Sequence, residues 1–201
     1  RPEKNWAIFK YLKKHNKKIF LDALATDHYY VKACLDGKTF RYSDFFVGDR
    51  PLPHPEREKM LAAWIGGPNE RPNIEMAQEA NGIIACLYEY YAAYQPEYAD
   101  KLAYIPIPID LSINPFHPIK STPEVVKFFI GIQQHRTAIK GTDILLDVLR
   151  EIHDKYPRES HIQKVVSVPF DEYNKLLVDC HILLDQLYSY TPATNALAAM
   201  A

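Results

Sequence analysis

The composition of this 201-residue chain limits the classes of function that it fits. The formal net charge is −1 at pH 7, so charge gives no support for binding to nucleic acid or to an anionic membrane surface. Cys34, Cys86 and Cys180 lie far apart and form no CxxC pair, which argues against a disulfide framework or a metal site and favours a reducing cytoplasm. The sequence has no run of about 18 apolar residues and no signal-peptide pattern, so no spanning helix is expected.

Helical and strand patterns alternate along the first 110 residues. Residues 5–15 place Ile8, Tyr11 and Leu12 on one face of a helix with lysines opposite. Pro106 and Pro108 remove backbone donors, so residues 103–110 are expected to be extended but not central in a sheet. The predicted strands are 17–24 and 82–87, a proline-rich loop covers 41–55, and the predicted helices are 5–15, a short one ended by Gly37, 56–67, 73–80, and 88–101 with a break near Pro96.

A second, clearer alternation follows a proline-rich segment. Residues 114–122 show no periodicity, which predicts a linker between a domain at 1–113 and a domain at 123–201. Strand–helix alternation of this kind predicts an α/β fold with parallel, doubly wound sheets. Helical patterns run up to both ends without a cap or stop, so we expect both domains to be incomplete parts of a longer protein. The predicted strands are 125–132, 161–168 and 181–186, and the predicted helices are one capped by Thr142, 171–180, and one starting at Thr191.

Two cations and a glycine stand between a predicted strand and a predicted helix. Arg136, Lys140 and Gly141 leave the strand at its carboxyl end, where ligands bind in open α/β sheets. Free N–H groups and the helix dipole favour anions at the helix starts expected at Thr142 and Thr191. This edge therefore suits phosphate groups, although a loop arginine and lysine are often simply solvated and no GxGxxG or Walker A pattern is present.

The same stretch resembles a known family. HRTAIKGTDILLDVLREI (135–152) is similar to the segment that opens the C-terminal domain of family 4 glycosyltransferases of the GT-B fold. Residues 101–116 resemble the family's entry to the linker, 176–192 its segment around the "aDv" and "EgfG" motifs, and 195–201 its "lEAMA" helix. Residues 22–27, DALATD, resemble its "HGtD" segment in the N-terminal domain. These stretches occur in the family's order.

The resemblance implies two Rossmann-like doubly wound domains of GT-B type with a cleft between them. It implies a nucleotide-sugar donor bound mainly by the C-terminal domain, with Arg136, Lys140 and Gly141 at the diphosphate and backbone amides of residues 191–194 also facing the donor. The acceptor, a glycan or a lipid-linked molecule, would bind the N-terminal domain. The implied activity is a metal-independent, retaining hexosyl transfer in surface polysaccharide synthesis, without a cofactor or nucleic-acid partner. It also allows peripheral membrane association through segments outside this chain.

The sequence departs from the family pattern at the two glutamates spaced E-x7-E. These would fall near Tyr190 and Ala198, and neither residue is acidic. Because the second glutamate usually holds the nucleotide ribose, we expect Asp185 or Asn195 to contribute to donor binding. Tyr190 and Thr191 remain donor-binding candidates because they lie at the expected edge of the site.

A second departure concerns the N-terminal domain. The family's histidine before "tD" is replaced here, and His28 is the candidate that could substitute for it, with Asp27 beside it. Both residues follow a predicted strand and are therefore candidate catalytic residues facing the cleft. A hydrogen-bonded loop pair is the more common explanation for two such residues.

Three functions remain open at the level of sequence. The first is the glycosyltransferase. The second is a sugar-nucleotide epimerase of the same fold, which would consume water and release a free sugar. The third is a catalytically degenerate module that binds a glycan or a partner, suggested by the missing glutamates.

Overall fold

The chain forms two compact units, Arg1–Ile107 and Pro108–Ala201. The computed structural model describes residues 2–54, 56–112, 118–119 and 121–201. Most of the predicted linker at 114–122 lies outside the described residues, so its bounds remain a prediction. In the described part of the chain, no helix is both long and apolar enough to cross a membrane.

Unit 1 (Arg1–Ile107) is built on a parallel sheet of three strands in the order β1-β4-β5. The sheet register pairs Phe20 with Gly82 and Ile83 with Leu102. β5 is an edge strand that ends before Pro106, as the prolines predict. The elements are α1 (Pro2–His15), β1 (Phe20–Ala23), α2 (His28–Leu35), β2 (Phe46–Val47), β3 (Arg50–Pro51), α3 (Arg57–Trp64), α4 (Glu70–Glu79), β4 (Gly82–Ala85), α5 (Tyr88–Tyr98) and β5 (Leu102–Tyr104).

Small strand residues and large helix residues share the core of unit 1. Ala23 and Ala85 are buried on adjacent strands, and the rings of Tyr29, Tyr94 and Tyr98 are buried in the same cluster. Alanine leaves space above the sheet that aromatic rings fill. The tyrosine hydroxyls are satisfied inside this core, since the Tyr29 and Tyr98 oxygens lie 2.5 Å apart.

Helix α1 packs with a different face from the one predicted. Ile8, Tyr11 and Leu12 are exposed, whereas Phe9 is buried and stacks on Trp6 at a ring-centroid distance of 5.4 Å. The helix carries apolar residues on two sides, and hydrophobic periodicity does not tell which side meets the neighbouring helix, here α4.

Helix α5 continues through Pro96, where a break was predicted. Proline removes one backbone donor, but it lies in the last turns of this helix, so little of the helix follows it. Tyr94 and Tyr98 are buried on either side of it. The packing of these two tyrosines keeps the backbone helical at Pro96, although the proline removes one backbone hydrogen bond.

Unit 2 (Pro108–Ala201) has a parallel sheet of three strands in the order β7-β6-β8. β6 is central, pairing Val126 with Ser160 of β7 and Phe128 with Ile182 of β8. The chain steps to one side of β6 and then crosses to the other, which creates a topological switch point at the carboxyl end of β6. The elements are β6 (Val126–Ile132), α6 (Thr137–Lys140), α7 (Thr142–Lys155), β7 (Ser160–Val166), α8 (Phe170–Leu177), β8 (Ile182–Leu184) and α9 (Thr194–Met200).

The helix starts in unit 2 differ in detail from the predicted ones. The predicted loop after β6 contains the short helix α6, and Thr142 is the first residue of α7, with Gly141 in the capping position. Helix α9 starts at Thr194, three residues after the predicted start. Ala193, in extended conformation, takes the capping position, so Thr191 and Pro192 lie outside the helix. Each unit thus combines helices with a parallel three-stranded sheet, and the chain is a mixed α/β fold.

Candidate functional site

A pocket of about 430 Å³ opens at the carboxyl ends of β6 and β7 in unit 2. We call it the β6–β7 pocket. Its walls come from the ends of both strands, from their following loops and from helices α6, α8 and α9. The lining residues that matter below are Gly131, Lys140, Ser167, Phe170, Tyr173 and Asn195.

The junction of α6 and α7 binds the loop that follows β8. The Leu187 N–H donates to the Lys140 carbonyl oxygen at 2.8 Å. Gly141 has φ of +67°, and a Cβ there would lie 2.8 Å from the Leu187 Cβ and 3.1 Å from the Tyr188 ring. Both the backbone conformation and the contact therefore require glycine. This contact brings the connections after β6 and β8 together at the switch point.

The loops after β6 and β7 are also joined. The Gln134 N–H donates to the Ser167 hydroxyl at 3.3 Å, and the Ser167 N–H donates to the Ile132 carbonyl at 3.1 Å. Ser167 and His135 have positive φ values of 48° and 66°. Residues other than glycine adopt positive φ infrequently, so the loops at the pocket rim carry some backbone strain.

The structure brings two of the predicted donor-binding residues into the pocket. Lys140 on α6 and Asn195 on α9 both line it. Arg136 occupies the capping position of α6, one helical turn before Lys140. Asp185, Tyr190 and Thr191 lie in the connection between β8 and α9, and Gly141 packs against the same connection.

Two aromatic residues on α8 complete the pocket and were missed as site residues. Phe170 is 69% exposed although it lines the pocket, and Tyr173 lies over Gly131. In the sequence, Tyr173 falls on the inward face of the predicted helix. That position accounts for the residue as part of the core and does not indicate that it also lines a pocket. The only available signal was the position of residues 169–170 directly after a strand at the predicted ligand edge.

Tyr173 is held by the sheet beneath it. Its ring meets Phe129 edge-on at 5.1 Å between centroids. Burial, and then the charges of Asp185 and Cys180, raise the pKa of the Tyr173 hydroxyl to about 12. The hydroxyl is therefore protonated at neutral pH and offers an O–H donor.

The start of α7 contains a buried hydroxyl next to this site. Thr142 is fully buried, and among the described residues its Oγ1 has no hydrogen-bond partner. It directly follows Gly141, so a polar atom is held in the interior beside the junction of α6 and α7.

The candidate catalytic Asp27 caps a helix of unit 1. Its carboxylate accepts hydrogen bonds from the Tyr30 N–H at 2.8 Å and from the Tyr94 hydroxyl at 2.7 Å. Burial raises the pKa of Asp27 above its ordinary value, although these hydrogen bonds and the neighbouring His28 oppose the rise. Asp27 thus joins α2 to α5 inside the unit.

His28 is engaged by other partners. Its backbone N–H donates to the Asn73 side-chain oxygen at 3.0 Å, and its ring Nδ1 lies 2.9 Å from the Trp64 carbonyl oxygen. A carbonyl only accepts, so Nδ1 carries the proton. Glu70 lies 3.8 Å from the same nitrogen. Asp27 and His28 stand at the start of α2, and their side chains contact different helices, α5 for Asp27 and the end of α3 for His28.

A larger groove of about 1030 Å³ lies between α1 and the start of α4 in unit 1. Trp6, Lys10, Pro68 and Arg71 line it. None of the predicted site residues belongs to this groove. Among the described residues, no group of three or more His, Cys, Asp or Glu side chains could hold a metal ion.

The chain was compared with protein families, curated proteins and solved structures. No protein-family model matches the chain, and no significant match was found among curated proteins or solved structures. The β6–β7 pocket therefore has to be interpreted from its own residues.

Proposed function

We propose that this chain is the sugar-transferring part of a glycosyltransferase that binds a nucleotide-sugar in the β6–β7 pocket. The observation that carries the proposal is the position of Lys140 and Asn195 together in that pocket, at the carboxyl end of a central parallel strand. Both residues were selected as donor-binding from the resemblance to GT-B glycosyltransferases. In this proposal, both units are Rossmann-like and the enzyme works in the cytoplasm.

The chemistry of the pocket walls fits the two ends of a nucleotide. Lys140 supplies a cation for the diphosphate, and charge-assisted hydrogen bonds to phosphate are stronger than neutral ones. Phe170 offers an exposed aromatic face of the kind on which a flat base stacks. Asn195 adds donor and acceptor groups at the third wall.

The transfer step requires stabilisation of the departing nucleotide. Breaking the bond between sugar and phosphate leaves an additional negative charge on the diphosphate, which the lysine at this edge would stabilise more than it stabilises the intact donor. The acceptor, a glycan or lipid-linked molecule, is assigned to unit 1. Asp27 and His28, after the carboxyl end of β1, are the candidate catalytic pair there.

Nucleotide binding by calorimetry tests this function. The 201-residue chain is titrated with UDP, GDP, ADP, CDP and TDP, and one of them is expected to bind. Lys140→Ala removes a charge-assisted contact and should weaken that binding by about 10- to 100-fold. Lys127→Ala is the matched control, because Lys127 is an exposed lysine near the amino end of β6, whereas the pocket opens at the carboxyl end of that strand. Binding that is absent for all five nucleotides, or equal in both variants, would contradict the proposal.

A second candidate is a transferase-like module that binds a glycan without catalysis. It is favoured by Tyr190 and Ala198, which stand where the family has glutamates, and by the absence of acidic residues from Thr194–Met200. Glycan binding without nucleotide binding would favour the module. Nucleotide binding, together with transfer of the sugar from a nucleotide-sugar to an added acceptor and release of the nucleoside diphosphate, would favour the enzyme.

A further inference from the structure

Tyr173 fills a gap that a glycine leaves in the central strand. Gly131 lies near the carboxyl end of β6, and a Cβ built on it would lie 2.7 Å from both Cε2 and the hydroxyl oxygen of Tyr173. Contacts this short are not tolerated between a Cβ and an aromatic ring, so the absent side chain is what lets the Tyr173 ring lie across the strand. The hydroxyl consequently reaches from α8 over the floor of the pocket.

The Tyr173 hydroxyl is available to a ligand. Tyr173 lines the pocket and is only half-buried, and its hydroxyl forms no side-chain hydrogen bond with the described part of the chain. Its ring, by contrast, is fixed by Phe129 below and Gly131 beside it. A fixed ring with an unused donor is the arrangement that gives a binding site orientation and selectivity.

The charges around the pocket indicate which part of a nucleotide this donor would meet. Asp185 is close enough to raise the pKa of Tyr173, and a carboxylate there repels phosphate groups. Lys140 lies on α6, which follows β6, whereas Tyr173 and Phe170 share one turn of α8. We therefore expect the phosphates to bind near Lys140 and the uncharged nucleoside to contact Phe170 and Tyr173 of α8.

We propose that the Tyr173 hydroxyl is a specificity-determining donor that hydrogen-bonds the nucleoside portion of the bound nucleotide. This inference rests on the proposed function, because it assumes a nucleotide in the β6–β7 pocket. It adds that nucleoside and phosphates are recognised by different walls, so the two contributions to binding are separable by mutation.

Two probes of the 201-residue chain separate them: the nucleoside diphosphate that the wild type binds, and inorganic pyrophosphate. Tyr173→Phe removes only the hydroxyl and should weaken binding of the nucleoside diphosphate by about five- to tenfold while leaving pyrophosphate binding unchanged. Lys140→Ala should weaken binding of both probes. Tyr156→Phe, on the exposed tyrosine that follows the last residue of α7, is the matched control and should change neither.

Gly131→Ala is a second, independent variant. Its added methyl displaces the Tyr173 ring, so it should reproduce the selective loss of nucleoside diphosphate binding, with the fold checked by thermal unfolding without ligand. If Tyr173→Phe leaves nucleoside diphosphate binding intact, or weakens both probes equally, the inference about Tyr173 is overturned and the proposed function stands. If the wild type binds neither probe, the proposed function itself fails.

Discussion

The carboxylate of Asp27 joins two helices of unit 1 inside a buried site. Its partners are the Tyr30 N–H at the start of α2 and the Tyr94 hydroxyl on α5. Burial is the largest influence on this group and raises its pKa above the ordinary value of 3.8. A group whose pKa is raised by folding stabilises the folded state below its unfolded pKa, and that contribution is lost as pH rises through the folded pKa.

Asp27→Asn should reveal this contribution as a pH dependence. The asparagine retains a capping oxygen but does not ionise. We therefore expect the free energy of unfolding of the wild type, relative to that of Asp27→Asn, to fall as pH rises above 3.8 and to level off above the raised pKa. Urea unfolding of both proteins at a series of pH values measures it.

Asp36→Asn is the matched control, because the pH dependence of its effect on the free energy of unfolding should have the opposite sign. Burial opposes ionisation of Asp36, but hydrogen bonds from Thr39 and Lys38 outweigh burial and lower its pKa. Its contribution is present above 3.8 and lost as pH falls through the lowered pKa, the opposite direction. A flat or rising difference for Asp27→Asn would mean that Asp27 is readily ionised in the folded protein.

At the scale of elements, the contact between the α6–α7 junction and the loop after β8 depends on one glycine. Gly141 and Gly66 both have φ of +67°, but a Cβ on Gly66 would meet nothing within 4 Å, whereas one on Gly141 would meet Leu187 and Tyr188. Left-handed backbone costs alanine about 1–2 kcal/mol at either position. Overpacking adds a further cost of about 1–3 kcal/mol at Gly141 alone.

Gly141→Ala is therefore expected to destabilise the protein by about 1–3 kcal/mol more than Gly66→Ala does. Because the two glycines share the same φ, the difference isolates the contact with the loop after β8. Urea unfolding of both variants at neutral pH measures it. Equal losses would show that the loop moves aside and is not held by the junction.

The order of the elements could be predicted from the sequence, while their contacts could not. Periodicity and proline positions predicted the strands at Phe20–Ala23, Gly82–Ala85 and Val126–Ile132 in their places. Helix α1 was assigned the wrong packing face, because periodicity reports an apolar stripe and not the surface that covers it. The break expected at Pro96 was wrong because the buried tyrosines on both sides outweigh a local preference.

At the scale of the whole molecule, only those residues of the candidate site could be predicted whose place follows from a nearby strand in the sequence. Lys140 lies in the connection that follows β6 in the sequence, so the strand order indicated its edge of the sheet. Tyr173 and Gly131 are 42 positions apart (173 − 131) and meet only after β6 and α8 pack together. A contact of that kind leaves no periodic signal, which is why the aromatic wall of the pocket was missed.

In the part of the chain that the structure describes, the residues lining the β6–β7 pocket belong to unit 2, which gives the proposal a consequence for the whole chain. Binding slows amide exchange where a ligand holds the backbone closed. Hydrogen exchange followed by mass spectrometry, with and without the bound nucleoside diphosphate, should therefore show protection around residues 131–141, 165–173 and 187–195. Peptides covering His28–Leu35 should exchange at unchanged rates. Protection at His28–Leu35 would instead mean that unit 1 contributes to the nucleotide site, and the donor would then have to be assigned to both units.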